Sequence, residues 1–111
     1  MGTRDQPLSP QKDGRLKSML SKIERRLGPD AFQVVDHWQA DLWAVGIAHP
    51  NDEHLLAYIA ADLPDDRYFV ELETLPAPGS ELPYAVAGRF QSVSFDELVE
   101  PVAAHLRSAS A

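Results

Sequence analysis

The chain has 111 residues, the size of a single domain with one core. Hydrophobic residues make up 44% and charged residues 24%, and mean hydropathy is -0.27, all ordinary for a globular protein. No apolar run approaches the roughly 18 to 20 residues that a bilayer span needs. With no cysteine, the sequence excludes disulfides and thiolate metal sites and suits a reducing cytoplasm.

Charge is unevenly distributed. Net charge is -7. Residues 1 to 28 carry seven bases and three acids, whereas 29 to 82 carry eleven acids and a single base, Arg67. The acidic middle would repel nucleic acid and anionic membrane and attract a basic partner. The plainer alternative is that these acids only keep the protein soluble.

Met1 to Asp13 is polar and broken by Gly2, Pro7 and Pro10. It reads as a disordered tail without the apolar core of a secretory leader. A helix is expected next. Leu16, Met19, Leu20, Ile23 and Leu27 share one stripe at helical spacing, opposite Lys17, Lys22, Arg25 and Arg26. Gly28 and Pro29 end it.

Strands are expected from there on. Phe32 to Val35 is short and apolar, and Asp36 to Asp41 reads as a connection. Asp41 to Ala48 is apolar on both faces, which suits a strand covered on both sides. The turn at His49 to Asp52 leads into a strand at Leu55 to Ala61. After a turn at Leu63 to Asp66, Arg67 to Thr74 alternates, with Tyr68, Val70 and Leu72 opposite Phe69, Glu71 and Glu73. A loop rich in proline and glycine precedes Tyr84 to Val93, where Tyr84, Val86, Gly88 and Phe90 are expected to share a face.

A final helix begins at the capping box Ser94-x-x-Glu97 and buries Phe95, Leu98, Val99, Val102 and Leu106. Pro101 should bend or break it, and 108 to 111 should fray. The expected architecture is α+β: a helix, a four- or five-stranded antiparallel meander and a second helix, over residues 14 to 108. Short turns exclude crossover connections, and both helices should lie on one face of the sheet.

Chemistry is harder to find. Nucleophilic catalysis needs a Ser, Thr or Cys beside a base. There is no cysteine and no Gly-x-Ser-x-Gly elbow, and Ser92 and Ser94 are explained by capping. His49 and His54 flank one turn without a third ligand, so no metal site is expected. The glycines are isolated, so no phosphate loop forms. The basic helix lacks aromatics and should pair with acids of its own domain. Glu71 and Glu73 share a face and are the most suggestive pair, although an exposed acidic stripe is the simpler expectation. A deep pocket holding both, with raised pKa values, would argue for an enzyme or a ligand site.

The segment Asp36-His37-Trp38-Gln39-Ala40-Asp41-Leu42-Trp43-Ala44-Val45-Gly46-Ile47 resembles small immunity proteins encoded beside bacterial polymorphic or contact-dependent toxins. Leu56-Ala57-Tyr58-Ile59, Tyr68-Phe69-Val70-Glu71-Leu72-Glu73 and Phe95-Asp96-Glu97-Leu98 carry the same likeness, which spans roughly residues 15 to 107 as a style. The resemblance implies tight binding to one cognate toxin domain, without catalysis or cofactor. Composition agrees in kind, since aromatics supply hot spots and acids steer a basic partner. The candidate partner-binding residues are Trp38, Asp41, Trp43, Phe69, Glu71 and Glu73. For Trp43 the apolar strand argues more strongly for the core, and Trp38, in a polar turn, is the better candidate for exposure. The expected partner is a basic toxin domain, met by a monomer or weak dimer in the cytoplasm, with no nucleic acid or membrane. The rivals are a secretion chaperone, which would dimerise, a small-ligand or enzymatic domain using Glu71 and Glu73, and a structural adaptor with no toxin.

Overall fold

The computed structural model describes residues 14–35, 42–61, 63–76 and 78–107. The tail at 1–13, the connection holding Trp38 and Asp41, and residues 108–111 lie outside them.

Helix α1 spans Gly14–Leu27 and buries Leu16, Met19 and Ile23 completely. Leu20 and Leu27 only pack against the edge of the core. Gly28 ends the helix in the left-handed region at φ 108°, with its N–H on the Glu24 carbonyl at 2.8 Å. A side chain there would be strained, which is why a glycine occupies the position.

The strands are β1 Gln33–Val35, β2 Ala44–His49, β3 Asp52–Ala60, β4 Tyr68–Thr74 and β5 Ala85–Val93. They form one sheet in the order β1-β2-β3-β4-β5, every pair antiparallel. Short turns permit this meander. Helix α2, Phe95–Arg107, closes the chain and buries Leu98, Val99, Val102, Ala103 and Leu106.

Both helices pack on one face. The core joins Leu16, Met19 and Ile23 of α1 to Leu98, Val102 and Leu106 of α2 over Val45, Ile47, Ile59, Val70 and Leu72 of the sheet. Removing this apolar surface from water is the main stabilising term. Alternation along the strands turns the other residues to the opposite face, which no described helix covers. There Val35, Ala48 and Leu56 form a small second cluster with Tyr58 against it.

The N-terminus of α2 carries the expected capping box. Ser94 N–H donates to Glu97 Oε1 at 2.8 Å, and Glu97 N–H donates to Ser94 Oγ at 3.2 Å. Hydrogen bonds from the Ser94 backbone and then its side chain hold the exposed Glu97 carboxyl below the usual range. Pro101 does not break the helix, which runs unbroken through it. It removes only one donor, that for the Glu97 carbonyl, and Glu97 lies on the exposed side of the helix.

The basic face of α1 is used within the domain. Arg26 pairs with Asp96 at 3.1 Å, Arg15 lies 3.9 Å from Asp66, and Lys22 and Arg26 each stand 5.6 Å from the Phe95 ring. Exposed pairs of this kind contribute little each.

One expectation about β5 is overturned. Val86 and Gly88 do not share a face. Gly88 opposes Leu72 while Val86 opposes Glu73, because the register slips between those pairs. A bulge adds one residue to β5 and reverses the alternation beyond it. A second slip, between Tyr68 and Val70, returns Val93 to the helix side beside Phe90.

Candidate functional site

Cross-strand register builds the site on the helix-free face. One row runs Val35, Gly46, Tyr58, Glu71 and Arg89 across all five strands. The next runs Gln33, Ala48, Leu56, Glu73 and Val86. The small residues Gly46 and Ala48 lie low on β2, whereas larger side chains rise from β3 and β4. The chain at Pro83 and Tyr84, just before β5, forms a further wall. A cavity of about 450 Å³ results, open to solvent along one side. Glu71, Glu73 and Thr74 contribute from β4, and His54, Leu56 and Tyr58 from β3, with Glu53 beside them. That volume lies within the range typical of ligand sites.

The two glutamates are not the exposed stripe expected from alternation. Glu71 is only 9% exposed. Its carboxylate accepts from Arg89 Nε at 2.9 Å and from Arg89 Nη2 at 2.5 Å. A buried carboxylate needs such a partner, and the guanidinium supplies both charge and hydrogen bonds. Among the described residues, no cation pairs with Glu73 in this way. Burial, then a hydrogen bond to Glu71, then the charge of Glu71 raise its pKa to about 7. Two neighbouring carboxyls cannot both ionise cheaply, so the proton stays on the one without the arginine. The pair therefore has two distinct members: a Glu71 matched by the Arg89 guanidinium, and a Glu73 that keeps its proton up to about pH 7.

The surroundings support this geometry. His105 Nε2 on α2 lies 2.8 Å from the Glu73 carbonyl, tying the end of β4 to the helix. Phe69 stands edge-on to Tyr58 with ring centroids 6.1 Å apart, and Tyr58 in turn lines the cavity. His54 N–H donates to Asp52 Oδ1 at 3.0 Å, which shapes the rim.

Of the residues singled out in the sequence, the fold brings Phe69, Glu71 and Glu73 together. Trp43 sits elsewhere, at the opposite end of the sheet. Its carbonyl accepts from Ala61 N–H, and Ala61 follows the end of β3 farthest from His54. Nor is Trp43 a core residue: it is 40% exposed, with the Arg15 guanidinium 5.2 Å from the ring centroid. Trp38 and Asp41 lie outside the described residues. Sequence reasoning missed Tyr58, Tyr84 and Arg89. Arg89 is the single charge in β5, a signal that it serves an acid across the sheet, but its opposition to Glu71 depends on the bulge.

Among the described residues, no three His, Cys, Asp or Glu side chains converge to hold a metal ion. None of the described helices is long and apolar enough to cross a membrane. Comparison with protein-family models, with curated proteins and with solved structures finds no match to this chain.

Proposed function

We propose that the chain is a protein-binding module of the immunity type, neutralising a basic toxin domain by stoichiometric contact through the helix-free face of the sheet. The observation that carries this reading is the open, acidic, aromatic-walled groove on the face left bare by both helices. A net charge of -7 adds long-range attraction for a basic partner. Tyrosines at the groove are residues of the type that dominate binding energy at interfaces.

The test is capture from a lysate of the source organism on immobilised protein at low salt, with a Glu73→Lys, Tyr84→Ala double variant in parallel. One basic protein, held one-to-one by the wild type, released by the variant and inhibited in its own activity by added wild type, is the expected result. Equal capture by the variant would remove the groove from the interface. Recovery of a dimer holding an unfolded segment would transfer the reading to a secretion chaperone.

A second reading has its own observation. The groove holds both carboxylates, and Glu73 keeps a proton near neutral pH, as a general acid would. Recovery of no protein partner, together with a small molecule that co-purifies in the groove, would establish it over the first.

A further inference from the structure

The groove has two chemically different parts. Leu56, Pro83 and the rings of Tyr58 and Tyr84 present apolar and aromatic surface, and the Glu71–Glu73 pair presents carboxyl oxygen. An anion is disfavoured, because the arginine nearest the groove, Arg89, is already spent on Glu71. A hard metal ion lacks a third ligand among the described residues. An organic cation on an aliphatic stem matches both parts, since its stem packs on the rings while its head meets the carboxyls.

We propose that this groove recognises a single basic group, an ammonium or guanidinium on an aliphatic stem, which lies between Tyr58 and Tyr84 and forms an ion pair with Glu73. This deepens the protein-binding reading above, for which the basic group is a lysine or arginine side chain of the partner. Arg89 matches the Glu71 charge, so Glu73 is the carboxyl left to meet the ligand. When the cation enters, Glu73 ionises, an ion pair forms, and one proton passes to the buffer. The raised pKa of Glu73 supports this exchange. Among the described residues, the other charged or titratable groups around Glu73 are Glu53, His54 and Tyr58 on the β3 side, Glu71 on β4, Tyr84 and Arg89 on the β5 side, and His105 of α2 at its backbone carbonyl. Of these, His54 is the one whose protonated form would repel a cation, so it is replaced in the test.

The experiment is an NMR titration with three probes: Nα-acetyl-arginine methylamide, 1,5-diaminopentane and the citrulline analogue of the first. Each is added to millimolar concentration at pH 6 and pH 8, with the wild type, Glu73→Gln and His54→Gln. The cationic probes should give saturable shifts at Leu56, Tyr58, Thr74 and Tyr84, and the uncharged citrulline probe none. A group that titrates at about pH 7 and must ionise to bind weakens apparent affinity about tenfold at pH 6 relative to pH 8. His54→Gln should keep that ratio, and a folded Glu73→Gln should lose binding. The diamine binding well above the arginine derivative would assign the site to free amines, and the reverse to protein side chains. Citrulline binding as well as arginine, equal affinity at both pH values, or a ratio lost in His54→Gln would overturn the proposal. If the probes bind but no macromolecular partner exists, the immunity reading fails while this one stands.

Discussion

Replacing Glu73 with glutamine should stabilise the protein at alkaline pH and leave it unchanged in acid. In the folded chain the carboxyl holds its proton up to about pH 7, whereas its ordinary value is 4.5. The folded state therefore binds more protons than the unfolded state between these values. The stability that this carboxyl contributes is fully present below 4.5 and is lost as pH rises through 7. A shift of this size corresponds to about 3 kcal/mol, and screening by solvent at the half-buried carboxyl reduces it to about 1 to 2 kcal/mol. Glutamine keeps a donor for Glu71 and carries no charge, so it mimics the protonated form at every pH. The assay is urea unfolding of both proteins at half-unit steps from pH 4.5 to 8.5. The difference between them should be near zero at the acid end and grow to about 1 to 2 kcal/mol in favour of the variant at the alkaline end. Every other group is common to both proteins and cancels in that difference. Parallel curves would refute the reasoning, because they would mean that Glu73 ionises alike in the folded and unfolded chains.

The remaining predictions concern the supports of the site and core. Arg89→Ala leaves the Glu71 carboxylate buried without its cation and should cost about 1 to 3 kcal/mol at pH 7, read from urea melts. Glu71→Lys should be worse, since it sets a second cation against Arg89. Charge reversal at Glu71 therefore tests folding, not binding, and Glu73 is the position to change in a binding experiment. Leu98→Ala, at a fully buried site, should cost about 2 to 5 kcal/mol, and Leu20→Ala, at a half-buried one, clearly less; equal losses would contradict the burial. Ser94→Ala removes one arm of the capping box and should cost about 1 kcal/mol by thermal or urea melts.

The local sequence determined the elements and their order. A 3.6-residue stripe from Leu16 to Leu27, a capping box at Ser94 and period-2 alternation from Tyr68 to Glu73 each act within one turn or one strand. Neighbouring residues therefore suffice to specify them. Short turns then required antiparallel neighbours, and the apolar stripes required both helices to share a face. The candidate site was only half legible. Glu71 and Glu73 could be placed on one face, but their environment depends on residues 13 to 18 positions away in sequence. Tyr58 is set beside Glu71 by the pairing of β3 with β4, and Arg89 reaches it only because β5 bulges. A bulge is one extra residue whose location is decided by how two strands pack, and no periodicity within β5 announces it. The burial of Glu71, the proton held by Glu73 and the groove are likewise properties of cross-strand neighbours. Trp43 shows the same limit from the other side: its apolar strand suggested the core, and the tertiary structure instead leaves its ring at the surface beside the Arg15 guanidinium of α1. What acts along the chain could be read from the chain, and what acts across it was decided by tertiary register, which sets the distances between groups far apart in sequence.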